Sequence, residues 1–446
     1  MEGESRASTA SAYGSYPLEH RDLPSDHWRV WRRITNAGFK CCATLRRVSL
    51  AFGEFLGMLR VVIAPDSFKG SLSAPQVCAA IARGLTRVWR DAVVVARPMA
   101  DGGEGTLDAV LAAMGADGCR ATGTVTGAGA VPIVAAYGVI TQPEGFTALI
   151  EIAQIVGITD PGGMAAAVGD RSTLGVGELL KMLLDRGIRR FMVGLGGSST
   201  NDAGAGMLAA LGVSLLDAQG GVIAPTPIGL AGLARVDASS LDARILGSDI
   251  KIMTDVNNPL CGDQGATAIF GPQKGVSGDD QRRFDAVLAH FAQLAETALT
   301  PQAARRAADA PGAGAAGGLG FGLHVLGGTI AGGADVVAAA IGLDAALAGA
   351  DWAITGEGRS DRQTLLRKAP LVVAERARAH GVPTTLISGG VDAKALPALG
   401  EHFAGCFALA DGPMALAECL ARAEELLADR AEQAARVWDA ARSRLS

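Results

Sequence analysis

Acidic residues recur beside glycine at or just past the ends of strand-like runs in this sequence: Asp66, Asp101, Glu104, Asp255, Asp263, Glu357 and Asp361. Carboxylates in such loops can accept a hydroxyl proton or hold a hard divalent cation. Lysine is scarce, with seven in the chain, and two of them, Lys69 and Lys274, sit inside the glycine-containing loops DSFKGS and GPQKG. Phosphate donors, Mg²⁺-binding carboxylates, a cation and an acceptor-orienting base are what phosphoryl transfer requires.

The segment GLGGSSTNDAGAG (194–206) adds an anion site to this set. It reads as a glycine loop leading from a strand into a helix that opens at Thr200. Free backbone N–H groups and the helix dipole favour phosphate or carboxylate at such a junction. Ser198, Ser199 and Thr200 can add hydroxyl donors. Asp202, one turn in, can accept a hydroxyl proton or hold Mg²⁺; the plainer alternative is a tight turn with an N-cap and a dipole-compensating aspartate.

Other chemistries lack support. The six histidines are dispersed and the seven cysteines form no CxxC pair, so neither a zinc site nor a Ser-His-Asp triad is indicated, and reduced thiols in a cytoplasmic protein are expected. PGAGAAGGLGFG (311–322) contains GxGxxG but follows AARRAADA instead of a strand, which removes the context of a dinucleotide site. A net charge of −5 without a basic stripe argues against nucleic acid, and no apolar run is long enough to span a membrane. A small-molecule partner fits, with a homodimer left open.

The elements that must position these loops follow from periodicity. RVVIA (60–64) and DAVVVARPMA (91–100) read as strands that run into DSFKGS (66–71) and ADGGEG (100–105). The first loop leads to a helix from Ala74 with Ser73 as its cap and Pro75 in its first turn. Strand-end loops line the ligand crevice of open α/β sheets, so these two should share a site. Residues 122–153 look like hairpin strands, RFMVGLGG (190–197) and IKIMTDV (250–256) are further strands, and strand–helix alternation resumes at DWAIT (351–355). The pattern predicts one doubly wound domain, 58–118 and 298–446, interrupted by an inserted α/β domain, 119–297. Residues 1–57 show no such pattern and read as a disordered extension, or as translated sequence upstream of a start at Met58.

Six blocks taken together resemble the glycerate kinase family, of the bacterial glycerate 2-kinase type: VVIAPDSFKGSLSA (61–74), PMADGGEGT (98–106), GLGGSSTNDAGAGML (194–208), DVNNPLCGDQGATAIFGPQKG (255–275), PGAGAAGGLGFGL (311–323) and ITGEGRSDRQTL (354–365). The resemblance runs from about Met58 to the end; Arg367 departs from it where a glycine is usual before the lysine. It implies a flavodoxin-like domain carrying an insertion, ATP as donor, Mg²⁺ as cofactor and D-glycerate as acceptor. The implied product is 2-phosphoglycerate, with the 3-phosphate or a related hydroxy acid substrate as alternatives. On this reading Asp202, Lys69 and Asp66 are catalytic. Ser67, Asp101, Gly102, Gly103, Glu104, Gly196, Gly197, Ser198, Ser199, Thr200, Asn201, Lys274 and Arg359 bind substrate or phosphate, and Asp202, Asp255, Glu357 and Asp361 bind metal.

Overall fold

The computed structural model describes residues 58–300 and 306–442; the expectation for residues 1–57 falls outside them. In chain order the strands of the two larger sheets are β1 (Arg60–Ile63), β2 (Val93–Ala96), β3 (Gly118–Thr126), β4 (Pro132–Gln142), β5 (Gly145–Glu151) and β6 (Arg190–Gly194). They continue with β7 (Asp249–Met253), β8 (Thr329–Ala331), β9 (Trp352–Thr355), β10 (Thr384–Ser388) and β11 (Gly405–Ala408). The fold is mixed α/β, with helices packed around parallel strands.

The first sheet runs in the order β11-β10-β9-β1-β2, all parallel, so strands from both ends of the described chain meet at β1 and β9. Its β-branched residues face two cores. Val61 and Ile63 pack with Val77, Ile81 and Leu427, against the helices Ala74–Thr86 and Ala423–Arg442. Val62 and Ala64 face the other way, against Val337, Val372 and Val373 of Gly333–Ala340 and Ala369–Ala379. Burial on both faces is what a continuous apolar strand such as VVI demands. The helix after the first loop starts at Ala74 as expected: the Ser73 N–H donates to Gln76 Oε1 at 2.8 Å and Pro75 lies in the first turn.

The second sheet has the order β8-β7-β6-β5-β4-β3. β3, β4 and β5 form an antiparallel meander, which is the hairpin pattern read between 122 and 153, while β5, β6, β7 and β8 are parallel. Residue 297, the expected boundary, falls inside the helix Gly278–Leu299. β8 pairs with β7, so the chain feeding the second sheet runs on to Ala331. A three-residue strand with a distant parallel partner leaves no local pattern to read. Among the described residues no helix is long and apolar enough to cross a membrane.

Candidate active site

Loops leaving β1, β2, β6, β7, β9 and β10 converge on a cleft with two lobes, each of about 650 Å³. Asp66, Ser67, Phe68, Lys69, Ser71 and Asp101 line both lobes and form the waist between them. The loop after β1 is fixed at its base, where the Asp66 N–H donates to Gly356 O at 2.8 Å. Phe68 is buried in the core and leaves Lys69 exposed at the turn. The Asp66 carboxylate accepts from the Ser67 N–H at 2.6 Å. Burial, then the charge of Asp101, pushes its pKa up to about 7, against the opposing pull of Ser67 and Lys69.

Glycine sets the distance between the two sheets. A Cβ on Gly194 would lie 2.5 Å from Gly102 O, one on Gly196 2.6 Å from Gly103 Cα, and one on Gly333 1.7 Å from Asp101 O. The ADGGEG loop therefore lies backbone to backbone against the loop that follows β6. Its helix, Thr106–Met114, is steadied from the second sheet: buried Glu151 accepts from the Leu107 N–H at 2.5 Å.

The first lobe is bordered by Gly102, Gly103, Glu104, Gly196, Gly197, Ser198, Asp255 and Lys274. Burial, then Asp101, raises the Asp255 pKa. The second lobe is bordered by Glu357, Arg359, Lys368 and Asp392 and by the apolar side chains Val391, Leu409, Leu416 and Leu420. Glu357 Oε1 accepts from the hydroxyls of Ser360 at 3.0 Å and Thr364 at 2.5 Å, while burial raises its pKa.

Five expected site residues border neither lobe. The helix expected from Thr200 begins at Ala205 and is only six residues long, because Ala203 (φ 53°) and Gly204 (φ 79°) take the left-handed conformation. Ser199 turns away from the cleft, with its N–H and hydroxyl both donating to Val156 O. Thr200 and Asn201 are fully buried, and Asn201 donates to the Thr267 hydroxyl. Asp202 is fully buried as well. It accepts from the Thr173 N–H (2.7 Å) and hydroxyl (2.8 Å) and from the N–H groups of Gly204 (3.1 Å) and Gly206 (3.2 Å). It thus ties together the starts of Leu174–Asp185 and Ala205–Ala210, which is the capping alternative. Asp361 caps its own turn, accepting from the Gln363 N–H at 2.7 Å.

Lys274 borders the first lobe yet is only 1% exposed; its ammonium donates to Thr200 O at 2.8 Å. Behind it, Arg171 was not foreseen. Its buried guanidinium donates to four main-chain carbonyls, those of Ala166, Ser199, Lys274 and Met164. A lone arginine between two motifs carries no sequence signal for such a role. The four expected metal ligands do not meet: Asp255 and Glu357 border different lobes, and Asp202 and Asp361 border neither. Among the described residues no three His, Cys, Asp or Glu side chains are arranged around a metal site. Mg²⁺ is nonetheless compatible with this wall, since it is commonly held by one or two carboxylates together with substrate phosphates.

A cleft at the carboxyl ends of parallel strands, with carboxylates and a lysine at its waist, marks an α/β enzyme. The sequence matches the profile of the Glycerate kinase family over residues 61–439, and the chain belongs to that family. It is 39% identical to a glycerate kinase of Bacillus subtilis (strain 168), covering 83% of this chain and 95% of the relative. It is also 39% identical to the glycerate 2-kinase of Escherichia coli (strain K12), covering 75% and 86%. A crystal structure described as a putative glycerate kinase 2 from Salmonella typhimurium LT2 superposes with a TM-score of 0.76 at 38% identity, covering 86% of this chain and all of that one.

Proposed function

We propose that the protein transfers the γ-phosphoryl group of ATP to a hydroxyl of D-glycerate, giving 2-phosphoglycerate and ADP, at the waist between the lobes. The observation that carries this reading is Asp66, raised to about 7 beside Asp101 and Lys69 on the wall common to both lobes. A base with a pKa near neutrality suits removal of a hydroxyl proton during transfer. The glycerate oxygen gives its proton to Asp66 and bonds to the γ-phosphorus, and the bond from that phosphorus to the bridging oxygen of ADP breaks. Lys69 offsets charge on the transferring group, and the N–H groups of Gly102 and Gly197 receive anionic oxygens, those of Gly103 and Gly196 being engaged by Asp101 and the Gly102 carbonyl. Of the metal set the cleft retains Asp255 in the first lobe and Glu357 in the second; Mg²⁺ held by one of them together with the phosphates of ATP would neutralise phosphate charge. Asp202 is reassigned from catalysis to holding the loop behind Ser198.

The 2-phosphate assignment is supported by the printed name of the Escherichia coli relative. The finer architecture under this reading is a flavodoxin-like doubly wound domain with order β2-β1-β9-β10-β11, into which residues 118–331 are inserted; strand order and helices on both faces support it. The test is turnover of ATP, Mg²⁺ and D-glycerate coupled to enolase without phosphoglycerate mutase. Phosphoenolpyruvate is expected at once. Its appearance only after mutase is added would mean that the 3-phosphate is made, and no ADP formation would reject the reading.

A further inference from the structure

The second lobe, at the carboxyl ends of β1, β9, β10 and β11, differs from the first in how far its apolar side chains are exposed: Ile158 and Phe270 of the first lobe are half-buried, whereas the second carries exposed leucines. The strand order of the first sheet reverses between β1 and β9, and the lobe opens over that junction, where the crevice of an open parallel sheet accepts a ligand. One wall is apolar and exposed beyond what packing explains: Leu416 is 73% and Leu420 39% exposed, with Val391 beside them. Lys368 borders the same lobe, and its charge acts on both Glu357 and Asp255.

We infer that the second lobe takes the nucleoside of ATP, with the phosphates directed past Lys368 to the waist, and that the first lobe takes the hydroxy acid. This rests on the proposed function and assigns its two ligands to separate halves of the cleft. A three-carbon acid with a carboxylate and two hydroxyls has no apolar face to bury on leucine, whereas a purine has two. The first lobe is bordered by Gly102, Gly103, Gly196, Gly197, Ser198 and Lys69, a surface that suits a small polar acid.

The experiment is calorimetric titration of ADP with Mg²⁺, which requires no turnover and so separates this assignment from the activity. Leu416→Gln/Leu420→Gln should weaken ADP binding at least tenfold while KM for D-glycerate stays within about twofold and the melting temperature is kept. Phe270→Ala, in the first lobe, should raise KM for D-glycerate and leave ADP affinity unchanged. Unchanged ADP binding in the double variant, or loss of ADP binding in Phe270→Ala, would overturn the assignment. If the double variant melts early, Leu420→Gln alone carries the same two readouts.

Discussion

The ammonium of Lys274 lies 2.8 Å from the carbonyl oxygen of Thr200, buried, with Arg171 donating to the carbonyls on either side of the contact, those of Ser199 and Lys274 itself. The cation that reads as a phosphate ligand in sequence borders the first lobe and donates to backbone. Burial lowers its pKa to about 7, partly offset by Asp202.

That depression makes stability depend on pH. With a folded pKa of about 7 against 10.5 unfolded, the unfolded chain binds more protons between those values, and stability rises with pH across that window. Lys274→Met removes this slope. Urea unfolding should show the variant at its best relative to the parent below pH 7, losing ground steadily towards pH 10. A constant difference between the two would reject the burial account.

Asp66 gives the opposite sign. Its folded pKa of about 7 exceeds the ordinary 3.8, so its contribution to stability is full below pH 4 and is lost as pH rises to 7. Asp66→Asn should therefore melt higher than the parent, by a margin that widens from pH 4 to pH 7, while kcat falls roughly 10²–10⁴-fold for want of a base. Retained kcat would remove Asp66 from the proton-transfer role.

For Asp202 the expected defect is structural. Asp202→Ala leaves buried N–H and hydroxyl donors without an acceptor, and removal of one member of such a network costs about 3 kcal/mol. Activity per folded molecule should remain within about tenfold. A thousandfold loss of kcat with an unchanged melting temperature would return Asp202 to catalysis.

Arg367 occupies the position where a glycine is usual in the resembled family, and its φ of 59° is the left-handed conformation that glycine adopts freely. The strain, about 1–2 kcal/mol, is set against exposed ion pairs with Asp335 at 2.7 Å and Glu375 at 3.4 Å, worth up to ~1 kcal/mol each. Arg367→Gly should thus change unfolding free energy by less than about 1 kcal/mol and leave turnover intact, as chemical denaturation and steady-state kinetics would show.

Much of this architecture was legible from local pattern. RVVIA, DAVVVARPMA and DWAIT announce strands through β-branched runs, Ser73 and Pro75 announce a helix start, and of the acids clustered after those strands Asp66, Asp101, Glu104 and Glu357 border the cleft while Asp361 does not. Orientation is less legible. Asp202 beside a glycine loop reads identically whether it faces a ligand or caps its own chain, and the left-handed conformation at Ala203 has no signature in the sequence. Arg171 and β8 depend on partners far away in sequence, so no window around them reveals their roles.

The first sheet has a consequence for how the protein is made. Thr355 bonds through its hydroxyl to Ala64 O across 291 residues, and β1 can pair with β9 only once that stretch has been translated. At ~5–20 residues per second the wait on the ribosome is roughly 15–60 s, during which every strand of the second sheet has already been made. A product released before Trp352 would carry the whole of that second sheet and present an unpaired flank of β1 to other chains. The second lobe needs β10 and β11 as well and the leucine wall beyond them, so nothing shorter than about Leu420 can assemble the complete cleft.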